Sequence, residues 1–100
     1  MGDAVRRLLL RLLYGPPAWR ALWALEQRCE AAGADITDAL AVAGVLVRRI
    51  NAELVGHLHA TLHAEAVARL RRHWPRLPHE TAATLVRIAH EGMAVEDVGR

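Results

Sequence analysis

The chain has 100 residues, of which 53% are hydrophobic and 24% charged, too apolar a mix for intrinsic disorder. No apolar run reaches the roughly 18 residues of a membrane span, so integral insertion is not expected, and a single domain of this size buries only about 65% of its unfolded surface. Lys, Ser and Phe are absent, which excludes a P-loop lysine, a Schiff-base lysine and any serine nucleophile; the 13 basic residues are all Arg, and the net charge of +2 would reach +8 with all six His protonated.

The first predicted helix, Asp3 to Tyr14, places Val5, Leu8, Leu9, Leu12 and Leu13 on one face and Arg6, Arg7 and Arg11 towards the other. A basic amphipathic helix of this kind covers a core or lies on an acidic membrane surface. Arg11 interrupts the apolar stretch and no small-residue cleavage site follows, so a secretory signal is not expected. The lone Cys29 cannot close an intrachain bridge, and a reducing cytoplasm is the expected compartment. Arg in place of Lys, beside abundant Ala, leads to the expectation of a GC-rich, bacterial source.

A second helix is predicted from Pro17 to near Gly33, with Leu22, Leu25, Cys29 and Ala32 as its core stripe. Trp19 and Trp23 lie one turn apart and off that stripe, either under a neighbouring helix or on a partner.

After Asp35 and Thr37, both good N-caps, no proline interrupts the chain until Pro75. An unbroken helix from Asp38 to His73 would be about 54 Å long, against a radius of gyration of about 13 Å for a compact chain of this length. Either the helix breaks near Asn51 or Gly56, or it protrudes and packs against another chain. Its apolar positions Leu40, Ala43, Val47, Ile50, Leu54, Leu58, Leu62, Ala66 and Leu70 step 3, 4, 3, 4 and then by fours, so the phase changes near Leu54. The protruding alternative makes Val47, Ile50, Leu54 and Leu58 an interface, together with Trp19 and Trp23.

A last helix is predicted to begin at Pro78, to bury Ala82, Leu85, Val86 and Ala89, and to stop at Gly92, with a further turn at Val95 to Val98. With Leu85, Ile88, Ala89, Gly92, Val95, Val98 and Arg100, the stretch from Thr81 to Arg100 resembles the first helix, turn and second-helix opening of resolvase-type helix-turn-helix domains. The resemblance covers a fifth of the chain and structural positions only. It implies a turn at Gly92, and its base-reading helix would fall beyond Arg100. An ordinary helix pair closed at Gly92 accounts for the same residues.

Chemistry-bearing clusters are sparse. His59 and His63 are spaced i, i+4 and His57 lies close by, but no further ligand stands at metal-site spacing, and no metal or other cofactor is expected. Arg69, Arg71, Arg72 and Arg76 around Trp74 match a phosphate-binding footprint, or they offset the dipole at a helix C-terminus. Cys29, the histidines and Glu26, Glu30 and Glu53 form no spaced catalytic set, so an enzyme is not expected. Clustered His57, His59 and His63, with His73 and His79 beside arginines, predict depressed pKa values and a loss of stability in acid. Residues 1–100 are therefore expected to form a single all-α domain, a small bundle of about four helices with one long or broken near Asn51–Gly56. Its expected role is a non-catalytic interaction or assembly module, partnered by itself or by another helical protein. The alternative is a small nucleic-acid-associated accessory protein.

Overall fold

The computed structural model describes the backbone of residues 16–98 and the side chains of residues 20–92. The predicted helix from Asp3 to Tyr14 and the Trp19 side chain lie outside those ranges. Four α-helices follow in order, α1 Pro16–Ala31, α2 Ile36–Glu53, α3 His59–His73 and α4 His79–Val98, and the described residues contain no strand.

Helix α1 buries Leu22, Leu25 and Cys29 of the predicted stripe, and Ala32, in the turn just past its end, is buried with them. It ends in a paired turn: the Gly33 N–H donates to the Glu30 carbonyl at 2.9 Å and the Ala34 N–H to the Cys29 carbonyl at 2.8 Å. Gly33 has φ +79°, the left-handed conformation that this C-terminal motif needs. Buried Ala34 closes the turn against buried Cys29. Asp35 then caps α2, its carboxylate accepting the N–H groups of Thr37 and Asp38.

Helix α2 buries Ile36, Ala39, Ala43, Val47 and Ile50, and it stops where the stripe changes phase. The Leu54 N–H closes the last turn on the Ile50 carbonyl, and Gly56 at φ +89° reverses the chain. The break near Gly56 is therefore the alternative that holds. The longest dimension, 38 Å, leaves no room for a 54 Å rod, and the radius of gyration is 13.2 Å.

Helix α3 buries Ala66, Val67 and Leu70. Leu77 in the following loop is fully buried, and the Arg71 Nε holds the loop by donating to the Leu77 carbonyl at 3.0 Å. Helix α4 buries Ala82, Leu85 and Val86 as expected, buries Ile88 where Ala89 was expected and leaves Ala89 half-buried, and continues through buried Gly92 to Val98. The turn expected at Gly92, and with it the helix-turn-helix likeness, is thus corrected. A glycine inside a helix costs only about 1 kcal/mol, and Glu91, Met93 and Ala94 around it are good helix formers.

Helices α2, α3 and α4 pack mutually, the α2–α4 interface being the most extensive; α1 rests mainly on α2 and touches α4 lightly. One apolar cluster joins all four helices. Among the described residues no helix is long and apolar enough to cross a membrane.

Candidate functional site

The residues singled out as an interface divide into inside and outside. Val47 and Ile50 are each 1% exposed within the chain's own core, so they offer no surface to a partner. The break at Gly56 is the reason: with α3 turned back, the seam they belong to is covered by the same chain. Leu54 is half-buried against that core. Trp23 is 65% exposed on the outer face of α1, and Leu58 is 77% exposed. Val55, which the sequence reading passed over, is 79% exposed beside it.

Local chemistry explains this corner. Leu58 occupies the N-cap of α3 with extended φ −63° and ψ 146°; its carbonyl accepts the Thr61 and Leu62 N–H groups at 3.0 and 3.1 Å, but its side chain has no oxygen for the remaining first-turn N–H groups, and no side-chain cap forms. The His57 N–H closes on the Leu54 carbonyl at 3.1 Å, so the backbone of the turn is held while Val55 and Leu58 face water.

Two of the four arginines of the basic cluster are used by the fold. Arg69 donates to Glu53 at 2.8 Å and to Glu65 at 3.0 Å, tying the end of α2 to α3. Arg71 holds the Leu77 loop. Arg72 and Arg76 are exposed, and the Arg76 guanidinium lies over Gly33, whose added Cβ would stand 3.0 Å from Nη2.

The histidines form a different group from the one the sequence picked out. His59 and His63 on α3 meet His90 on α4, with ring centroids 4.9 Å apart for His59–His90 and 6.4 Å apart for both His63–His90 and His59–His63. With Ala60, Arg87 and Glu91 they line an open cleft of about 580 Å³. His57 is exposed in the preceding turn and is not among the lining residues. The His90 Nε2 is buried and has no hydrogen-bond partner. Burial pushes the His63 pKa below its usual 6.5, helped by positive charge on His59, Arg87 and His79. Burial also lowers His90, helped by His59 and His63. Both shifts favour the neutral imidazole. Among the described residues no three His, Cys, Asp or Glu side chains are placed so that they could hold a metal ion. His90 continues the i, i+4 row Ala82, Val86 on the inner side of α4, and a histidine on an apolar row was the signal available in the sequence.

Cys29 is fully buried, and its thiol is pushed up to about 11, first by burial and then by Asp35 and Glu26. It stays protonated at neutral pH, without the thiolate that makes a cysteine nucleophilic.

No protein-family model, curated protein or solved structure matches this chain.

Proposed function

We propose that the chain is a non-catalytic helical interaction module, working in the cytoplasm, that assembles with a second copy of itself through the corner at Val55 and Leu58. The observation that carries this reading is the exposure of two large apolar side chains, 79% and 77%, at a helix start where a polar cap would be both soluble and stabilising. Of the corner residues only His57 can carry charge, Leu54, Val55, Gly56 and Leu58 being apolar, and the nearby Glu53 is paired with Arg69. With His57 neutral, a patch of this kind can meet its own copy about a two-fold axis without like-charge repulsion. The arginine cluster favours a nucleic-acid partner less, because Arg69 and Arg71 are engaged within the fold.

The test is molecular mass by light scattering over a wide concentration range, at low and high salt. Wild type is expected to dimerise, with association that persists at high salt because it is apolar. Leu58→Asp is expected to be monomeric and folded. A wild type that stays monomeric at high concentration, or a Leu58→Asp variant that dimerises equally well, overturns the reading. Salt-sensitive retardation of a labelled duplex by the monomer would favour the nucleic-acid alternative instead.

A further inference from the structure

We propose that the cleft between α3 and α4 binds the carboxylate of a small aromatic acid, held by the Arg87 guanidinium beside the imidazoles of His59 and His63. Of the residues that line the cleft, Arg87 is a permanent cation, His59, His63 and His90 can each take up a proton, Ala60 is apolar and Glu91 is the one carboxylate. Its volume of about 580 Å³ is that of a small-molecule site, typically about 300–1,000 Å³, and is too large for an inorganic ion alone. Arg72 and Arg76 are exposed as well, but neither lines the cleft. Arg69 is neutralised by Glu53 and Glu65, whereas Glu91, one turn beyond Arg87 on the same helix, forms no ion pair with it. Arg87 thus keeps its charge free at a concave surface.

The positive groups of α3 and α4 already act on one another there. Burial and then His59, Arg87 and His79 lower the His63 pKa, and burial and then His59 and His63 lower that of His90. An anion in the cleft offsets the repulsive part, so binding draws protons onto the imidazoles and tightens as pH falls. Neutral imidazoles still donate one N–H each. Glu91 opposes an anion and therefore selects its charge. A carboxylate carries one negative charge and meets a guanidinium through two parallel N–H···O bonds. A phosphate monoester carries nearly two, which Glu91 repels more strongly. The clustered imidazole rings offer flat faces on which the aromatic body of the acid lies.

The experiment titrates the full chain, without an affinity tag, with sodium benzoate and follows the histidine ring resonances by NMR at pH 6 and pH 8, where a carboxylic acid stays ionised. Wild type is expected to show one saturable site in the millimolar range, about fivefold tighter at pH 6 than at pH 8. Benzamide, the uncharged counterpart, is expected to leave the resonances unmoved, and phenyl phosphate to bind more weakly than benzoate. Arg87→Gln changes an exposed residue, leaves the fold intact and is expected to weaken benzoate binding about tenfold. Arg72→Gln, outside the cleft, is expected to bind like wild type. The site is refuted by absence of saturable shifts in wild type, by equal binding of benzamide, or by equal affinity at the two pH values. It is equally refuted by wild-type binding in Arg87→Gln or by an equal loss in Arg72→Gln. Tighter binding of phenyl phosphate than of benzoate overturns the assignment to a carboxylate.

Discussion

The two turns that flank α2 solve the same problem in opposite ways. At Gly33–Asp35 every step is satisfied: the glycine takes the left-handed conformation, the Glu30 and Cys29 carbonyls receive donors, Ala34 is buried and Asp35 caps the next helix. At Leu54–Leu58 the backbone also turns on a left-handed glycine, yet the next helix begins without a side-chain cap and Val55 and Leu58 face water. The first turn is built for stability alone. The second keeps something back from the fold, and the histidine cleft begins one residue later, at His59.

The largest expected contrast lies between the apolar residues of the two turns. Ile36, first residue of α2 and 2% exposed, should cost about 2–5 kcal/mol when truncated in Ile36→Ala, through lost burial and the cavity left behind. Leu58→Ala should change the stability of a dilute, monomeric sample by less than about 0.5 kcal/mol. Urea unfolding of both variants measures the difference, and similar midpoints would mean that Leu58 is packed in the monomer after all.

Next come the glycines. Gly33→Ala and Gly56→Ala each force a side chain into positive φ, a cost of about 1–2 kcal/mol. The new Cβ at Gly33 meets only the far end of Arg76, which can move aside, and the one at Gly56 meets open space. The two variants should therefore melt close together. A neutral Gly56→Ala would show that the second turn is not held in its left-handed form.

Much of this architecture was legible in the residues themselves. The α1 stripe, the Asp35 cap and the inner face of α4 follow from helical periodicity and cap chemistry, which are local. The break of the long segment was legible as a conflict between helix length and chain size. Its consequence was harder to see, because the same 3.6-residue period that marks Val47 and Ile50 as apolar does not say whether their cover comes from this chain or another. Gly92 misled for a similar reason, since glycine ends a helix only where a cap is formed. The meeting of His90 with His59 and His63 depends on how α3 and α4 pack, and no local rule contains it.

Cap chemistry supplies a smaller and sharper contrast. Asp35→Ala removes an oxygen that accepts two N–H groups and should destabilise the protein by about 1 kcal/mol. Leu58→Asp places such an oxygen where the backbone is already extended and should stabilise the monomer by a similar amount. The same substitution is expected to abolish self-association, so stability and assembly should move in opposite directions. Thermal melts of dilute samples measure the first quantity and light scattering the second. A Leu58→Asp protein that is both less stable and monomeric would show that Leu58 supports the fold.

Acid should act on the α3 side of the second turn, through His63 and His90. His63 faces His59, His79 and Arg87, His90 faces His59 and His63, and Glu91 lies at the rim of the cleft. Both folded pKa values lie below the unfolded value near 6.5, so between those limits the unfolded chain binds more protons than the folded one. Stability is then complete above about pH 6.5 and is lost as pH falls through the lowered folded values, where both histidines are charged in either state. The effect should be the smallest of the four, because both side chains keep partial access to water and screening. Melting temperatures from pH 5 to 8 should fall on the acid side in wild type. His90→Leu removes one of the two titrating groups, so its curve should be flatter. Equal slopes in wild type and His90→Leu would place the source of any acid sensitivity outside the cleft.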